Sequence, residues 1–159
     1  MHHALPAEPL LGFPVPAANR PWIVVFVDPP EPAPDAPWPN RLLSRLLKLL
    51  HPGFRHVLAL SPEGPGRDWL VVNPGGLGLG IGIARGDATL PTLRRLVASG
   101  DARAVIVSAR APDRFRPRGL LTCVSTIGHL TGVPTGPFTT PRAFHKRLLA
   151  NGGHAAGSA

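Results

Sequence analysis

Apolar residues fall along this chain in short runs, and their spacing predicts alternating strands and helices. Runs of β-branched and aliphatic residues predict strands, whereas apolar positions three and four residues apart predict helices. The predicted strands cover residues 21–28, 54–60, 68–73, 77–83 and 102–108. The predicted helices cover residues 41–50, 91–97, 122–130 and 141–150. This order predicts an α+β fold in which about five strands form a mostly antiparallel sheet packed against helices.

The helix predicted at residues 41–50 has two chemically different faces. Its leucines share one face, Arg41, Arg45 and Lys48 share the other, and Asn40 is the expected N-cap. Such a helix fits either the core of a domain or a membrane surface. We expect it to face the core, as most amphipathic helices of small domains do.

Proline is concentrated near the start of the chain, with eleven of the 21 prolines in residues 1–40. This distribution predicts a flexible proline-rich arm at residues 1–20, a single domain at 21–150 and a disordered tail at 151–159. No apolar run approaches the ~20 residues of a membrane span. Prolines also interrupt any apolar signal-peptide core, so the expected location is the cytoplasm.

The net charge of +8 lies entirely in residues 89–159, where ten basic residues face two acidic ones. This excess favours an anionic partner, which is either an anionic substrate or a nucleic acid. The nucleic-acid interpretation depends on seven arginines: Arg94, Arg95, Arg103, Arg110, Arg114, Arg116 and Arg118. The absence of tyrosine and an aromatic content of 6% leave little for base stacking, which disfavours this interpretation.

Neither a metal nor a cofactor is expected from the motifs. The single cysteine excludes an internal disulfide and a zinc site built on cysteine pairs. The glycine-rich segment at 75–82 lacks the G-x-G-x-x-G spacing and is not followed by Gly-Lys-Ser/Thr, so it predicts no phosphate or dinucleotide site. Its alternation of glycine with leucine and isoleucine instead predicts a strand with one face that lacks side chains.

Cys123 is the candidate nucleophile because of its place in the sequence. With Thr122 as N-cap it occupies the first helical position, where unpaired N–H groups and the helix dipole favour a thiolate. The preceding loop adds the positive charges of Arg114, Arg116 and Arg118, which also favour a thiolate. A cysteine nucleophile also needs a base and a group that orients the base. His56 lies in an apolar strand, where the period of two predicts that it shares a face with Phe54 and Leu58 and needs a polar partner, and Asn73 ends the next strand. The same residues also fit plain structural roles as a buried thiol, a core histidine and a turn residue.

Three segments surround these residues: GFRHVLAL at 53–60, WLVVNP at 69–74 and LTCV at 121–124. They resemble the permuted branch of the papain-like NlpC/P60 superfamily, which includes the lecithin:retinol acyltransferase-like proteins. In that branch the histidine strand precedes the cysteine helix, and here His56 precedes Cys123 by 67 residues. The resemblance implies a permuted papain-like domain with Cys123 as nucleophile, His56 as base and Asn73 as the orienting residue. The glycine-rich strand and the small residues after Cys123 depart from the family pattern.

The resemblance implies a cysteine hydrolase or acyltransferase that acts on an amide or ester bond and uses no cofactor. The alternative is a catalytically inactive structural or accessory protein on the same fold, such as a component of a phage-like particle. The proline-rich arm would then bind a protein partner and become ordered on binding. A basic nucleic-acid-binding module is the third hypothesis.

Overall fold

A β-sheet forms the centre of the structure, a computed structural model that describes residues 20–63, 68–75, 78–110 and 122–156. Its strands are β1 (Pro21–Val27), β2 (His56–Glu63), β3 (Asp68–Gly75), β4 (Gly78–Ala84), β5 (Ala102–Ser108) and β6 (His154–Ala155). They form one open antiparallel sheet in the order β4-β3-β2-β1-β5-β6. The helices are α1 (Trp38–Leu47), α2 (Gly86–Ala98), α3 (Cys123–Thr131) and α4 (Pro141–Ala150). The predicted α+β class and antiparallel sheet are confirmed.

Side chains alternate along the strands and give the sheet two apolar faces. The face covered by α3 and α4, called the α3 face, contains Trp22, Val24, Phe26, Phe54, Val57, Ala59, Val72, Val105, Val107, Val124, Ile127, Val133, Phe144 and Leu148. The opposite face, called the α2 face, contains Val25, Leu60, Ala102 and Ala104, against which Leu93 and Val97 of α2 pack. Each large side chain buried in these layers stabilises the fold by about 1.5–3 kcal/mol.

The boundaries of α3 follow the expected capping signals. Thr122 is the N-cap, and its side chain accepts a hydrogen bond of 3.1 Å from the backbone N–H of Ser125. The Ser125 hydroxyl accepts in turn from the Thr122 N–H at 2.8 Å, which completes a capping box. Gly132 ends the helix in the left-handed conformation, with φ of 71°. Cys123 is therefore the first helical residue, as predicted.

Helix α1 differs from its prediction in both its start and its surroundings. It begins at Trp38 after Pro37, and Asn40 lies inside the helix, because Pro39 fits the first helical turn. None of its residues is buried, so the prediction of a core-facing helix is wrong. The physical reason is competition for the sheet, because α2 packs on one face while α3 and α4 pack on the other.

Helix α2 begins earlier than its pattern predicts. It starts at Gly86, so Pro91 lies within the helix and does not open it. The Thr89 hydroxyl donates a hydrogen bond of 2.8 Å to the carbonyl oxygen of Arg85, the N-cap residue. Residues 86–90 therefore form a turn of helix that the apolar spacing alone does not indicate.

The segment after α4 forms a short strand where the sequence predicted a disordered tail. His154 and Ala155 pair with Ile106 and Val105 of β5. Gly153 makes this approach possible, because a Cβ atom there would lie 2.7 Å from the Val105 side chain. The remaining tail residues 157–159 and residues 1–19 of the expected arm lie outside the described residues.

Candidate active site

His56 and Asn73 lie side by side on the adjacent strands β2 and β3. The pairing of the two strands extends to Ala59 and Val72, and its continuation places Asn73 opposite Leu58 and diagonal to His56 on the α2 face. The His56 Nε2 atom is 2.7 Å from Asn73 Oδ1. The structure therefore brings together two of the three residues that the sequence singles out.

This hydrogen bond defines which ring nitrogen of His56 is available for chemistry. The amide oxygen of Asn73 can only accept, so Nε2 carries the hydrogen in this arrangement. In a neutral imidazole, Nδ1 then has the free lone pair that a general base requires. Asn73 is itself exposed, so this end of the sheet is open to solvent.

Cys123 is half-buried and packs against the apolar cluster of the α3 face. Its sulfur interacts with the backbone N–H groups of Val57, Val124 and Cys123 itself. Two of these donors belong to the unpaired N-terminal turn of α3, and the third belongs to β2. The sulfur therefore lies where helix and strand meet.

Burial raises the pKa of the Cys123 thiol, and the three backbone hydrogen bonds oppose this rise only in part. The sequence predicted the opposite direction, from the helix terminus and from Arg114, Arg116 and Arg118. Those arginines lie outside the described residues. Desolvation dominates because the sulfur lies against aliphatic side chains, where the thiolate form is disfavoured. The thiol is therefore neutral at neutral pH.

Strand β2 lies between the thiol and the imidazole. Val57 faces the α3 face with Cys123, whereas His56 is opposite Val27 of β1 and in phase with Leu58 on the α2 face. Within the described part of the chain, no hydrogen bond joins the thiol to the His56 ring. The Cys123 thiol lies beside Val57 on the α3 face, whereas the imidazole of the preceding residue, His56, lies on the α2 face.

The sequence predicts that Phe54 and His56 share one face of a strand. In the structure Phe54 instead lies on the α3 face, so this prediction is wrong. Strand β2 begins at His56, so the alternation does not extend back to Phe54, whose ring packs against Phe26 on the α3 face. Leu58 does share the face of His56, as expected. This offset arises from the turn before β2, where the Phe54 N–H donates to the His51 carbonyl.

A shallow groove of about 350 Å³ adjoins Asn73. It is lined by Val71, Asn73, Gly80, Ile81, Gly82, Ile83 and Ala84. Gly80 and Gly82 of β4 are paired with Asn73 and Val71, so the absence of their side chains leaves space beside these two residues. A Cβ atom at Gly82 would meet nothing within 4 Å. The glycines of β4 thus leave an open groove next to Asn73.

Arg55 and Asp28 fix the start of β2, a role that the sequence pattern did not reveal. Arg55 Nη1 lies 3.2 Å from Asp28 Oδ2, and Asp28 Oδ1 accepts a 2.8 Å hydrogen bond from the Gly53 N–H. The charge of Arg55 directly before His56 was the only signal available in the sequence. The ion pair attaches the turn before His56 to the end of β1.

Two of the arginines proposed for nucleic-acid binding have structural contacts. The Arg103 guanidinium lies 4.7 Å from the centre of the Phe54 ring, and Arg110 Nη2 donates to the Asn151 carbonyl at 3.0 Å. Arg94 and Arg95 are exposed on α2. The proposed basic surface is therefore reduced by these intramolecular roles.

Among the described residues, no group of three or more His, Cys, Asp or Glu side chains is placed to hold a metal ion. In the same part of the chain, every helix is too short or too polar to cross a bilayer. Comparison of the chain with protein-family models, curated proteins and solved structures found no match.

Proposed function

We propose that the chain is a cysteine hydrolase or acyltransferase that cleaves an amide or ester bond, on a permuted papain-like scaffold. The observation that carries the proposal is the hydrogen bond of 2.7 Å between His56 Nε2 and Asn73 Oδ1. It leaves Nδ1 as a base one residue from Val57, whose N–H contacts the Cys123 sulfur. The base and its orienting amide thus lie on the α2 face of β2 and the thiol on its α3 face, so the groups that nucleophilic cysteine chemistry requires adjoin one strand from opposite faces.

In the proposed reaction, Cys123 is deprotonated as the substrate binds, and not before. The thiol is neutral because burial raises its pKa, so His56 Nδ1 must take its proton during the attack. Substrate binding must also bring the imidazole to the thiol, since the two approach β2 from different sides.

The bonds and protons of this reaction balance without a cofactor. The sulfur forms a bond to the carbonyl carbon, and backbone N–H groups at the start of α3 stabilise the oxyanion. The C–N or C–O bond then breaks, His56 returns its proton to the leaving amine or alcohol, and a thioester remains on Cys123. Water or a second substrate resolves the thioester, with His56 again acting as base.

The groove beside Asn73 supports an extended, partly apolar substrate. Val71, Ile81 and Ile83 line it, and the glycines of β4 let a chain approach the backbone closely. The excess of basic residues in the C-terminal half favours a negative group elsewhere on the substrate. The proposed substrate class is therefore an acyl or peptidyl compound that carries an anionic group.

The single cysteine makes the proposal simple to test, because Cys123 is the one thiol in the sequence that iodoacetamide can alkylate. Hydrolysis of a panel of p-nitrophenyl esters and aminoacyl amides would be measured for the wild type, Cys123→Ala and His56→Ala. We expect both variants to lose turnover by about 100-fold or more, and alkylation to abolish wild-type activity in proportion to labelling. His129→Ala is the control, since His129 is exposed on α3. Full turnover by Cys123→Ala would reject the proposal.

An inactive accessory protein is the second candidate, and two observations favour it. The raised pKa of the Cys123 thiol and the missing hydrogen bond to His56 are typical of a structural thiol. If this candidate is correct, the alkylation rate is the same in wild type and His56→Ala at every pH. The hydrolase proposal instead predicts slower alkylation in His56→Ala once a substrate analogue occupies the groove.

A further inference from the structure

Helix α1 exposes a stripe of apolar side chains to solvent. Trp38, Leu42, Leu46 and Leu49 are 69%, 47%, 54% and 83% exposed. Successive members are four, four and three residues apart, so they lie along one side of the helix. Leu49 lies two residues beyond Leu47, the last residue of α1. It still belongs to a helical turn, because its N–H donates a hydrogen bond of 3.0 Å to the Leu46 carbonyl. These four residues are called the α1 stripe.

Basic side chains border the α1 stripe, and α1 contains no acidic residue. Lys48 forms an ion pair of 2.7 Å with Glu31 in the preceding loop. Arg41 and Arg45 form no ion pair within the part of the chain that the structure describes. At neutral pH the surface around the stripe is therefore positively charged.

None of the other three helices that the structure describes covers the α1 stripe. Helix α2 is packed on one face of the sheet, and α3 and α4 are packed on the other. No residue of α1 is buried. An exposed apolar surface of this kind marks a binding site more often than it marks an accident of folding.

We propose that α1 binds to an anionic lipid surface, with the α1 stripe inserted among the acyl chains and Arg41 and Arg45 on the headgroup phosphates. A helix that combines exposed leucines and a tryptophan with flanking arginines has the composition of an interfacial membrane helix. The long arginine side chains reach from the apolar level to the headgroups. The positive charge of Arg41 and Arg45, which form no ion pair among the described residues, favours this partner over a protein groove, because it matches a surface of evenly distributed negative charge.

The inference does not depend on the proposed enzymatic function. It uses the exposure and charge of α1 alone, and α1 contributes no residue to the candidate active site. Loss of hydrolase activity in a Cys123 variant therefore leaves it unaffected.

The test uses the full-length protein and vesicles of phosphatidylcholine, with or without about 30% phosphatidylglycerol. Co-sedimentation measures binding, and tryptophan fluorescence reports insertion of Trp38. We expect binding to the anionic vesicles with a blue shift that Trp38→Phe abolishes. Leu42→Ser/Leu46→Ser should weaken binding by about tenfold or more, because it removes apolar area from the stripe.

Charge variants complete the test. Arg41→Gln/Arg45→Gln should weaken binding to anionic vesicles by about 30-fold, at roughly 1 kcal/mol for each of the two charges. Arg94→Gln/Arg95→Gln is the matched control on α2, where both arginines are also exposed, and should change binding by less than about twofold. Circular dichroism and thermal melting should be unchanged in all of these variants, since none alters a buried residue.

Three results would overturn the proposal. They are absence of binding to anionic vesicles, equal binding by the Leu42→Ser/Leu46→Ser variant, and an equal loss in the α1 and α2 arginine variants. Either of the last two results would show that net charge alone attracts the protein to the vesicles. If the wild type co-purifies with a protein that binds to α1 and does not bind to vesicles, the α1 stripe is a binding site for a protein partner.

Discussion

Replacement of Asn73 by alanine tests the candidate site most directly, because it should separate activity from stability. The His56 Nε2–Asn73 Oδ1 hydrogen bond is 2.7 Å long, but Asn73 is exposed, so water can replace the lost acceptor. A net hydrogen bond is worth about 0.5–1.5 kcal/mol, and exposure places this one near the lower end. The melting temperature of Asn73→Ala should therefore fall by only about 1–4 °C.

The loss of activity in Asn73→Ala should be much larger. Without Asn73 the imidazole rotates and exchanges tautomers, so Nδ1 is a competent base for a smaller fraction of the time. We expect kcat/KM to fall by about 10–100-fold, part of the total contribution of a general base. Nitrogen NMR of the His56 ring should show Nε2–H in the wild type and a mixture of tautomers in the variant.

Two further variants make the Asn73 result interpretable. Asn73→Asp keeps an acceptor for Nε2, so it should retain more activity than alanine and shift the acid limb of the pH–rate profile upward, since a carboxylate favours the imidazolium. Asp68→Ala is the control at another exposed position of β3. If Asn73→Ala keeps kcat/KM within about threefold of the wild type, Asn73 does not position His56 for catalysis.

Burial, charge and backbone geometry give three further expectations. The raised pKa of Cys123 means that above about pH 8.5 the unfolded chain loses its proton first, so the free energy of unfolding should fall by up to about 1.4 kcal/mol per pH unit. Urea titrations of Cys123→Ser should lack this slope, and an identical slope would contradict the assignment. Burial and the charge of Arg103 lower the pKa of His145, so stability present above about pH 6.5 should be lost as pH falls through the folded pKa. His145→Gln should flatten this acid limb, and an unchanged limb would point to another group. Gly132→Ala should lose about 2 kcal/mol or more, because φ is +71° and the new Cβ would lie 2.2 Å from a backbone oxygen. Gly100→Ala, at φ +81° with nothing within 4 Å, should lose about 1 kcal/mol, and equal losses would contradict the steric argument.

Local signals predicted the positions of the candidate site residues but not the environment of the thiol. Thr122 and Gly132 determine the limits of α3 through hydrogen bonds and backbone angles within a few residues of chain. The short link between β2 and β3 makes them antiparallel neighbours, which brings His56 to Asn73. The direction of the Cys123 pKa shift depends instead on the strand against which α3 packs, which the sequence around Cys123 does not specify. Desolvation at that contact raises the pKa of the Cys123 thiol by more than the N–H groups at the helix terminus lower it.

The prediction for α1 failed for a related reason, which also explains why its exposure is informative. An amphipathic pattern shows that a helix has an apolar face, but not whether that face meets the core of its own chain. A sheet offers two faces, and here three other helices already pack against them. A fully exposed leucine forgoes about 1.5–3 kcal/mol of burial free energy, and the half-exposed Leu42 and Leu46 forgo a part of this. The folded chain can therefore still gain this burial free energy when the α1 stripe binds to a surface outside the domain.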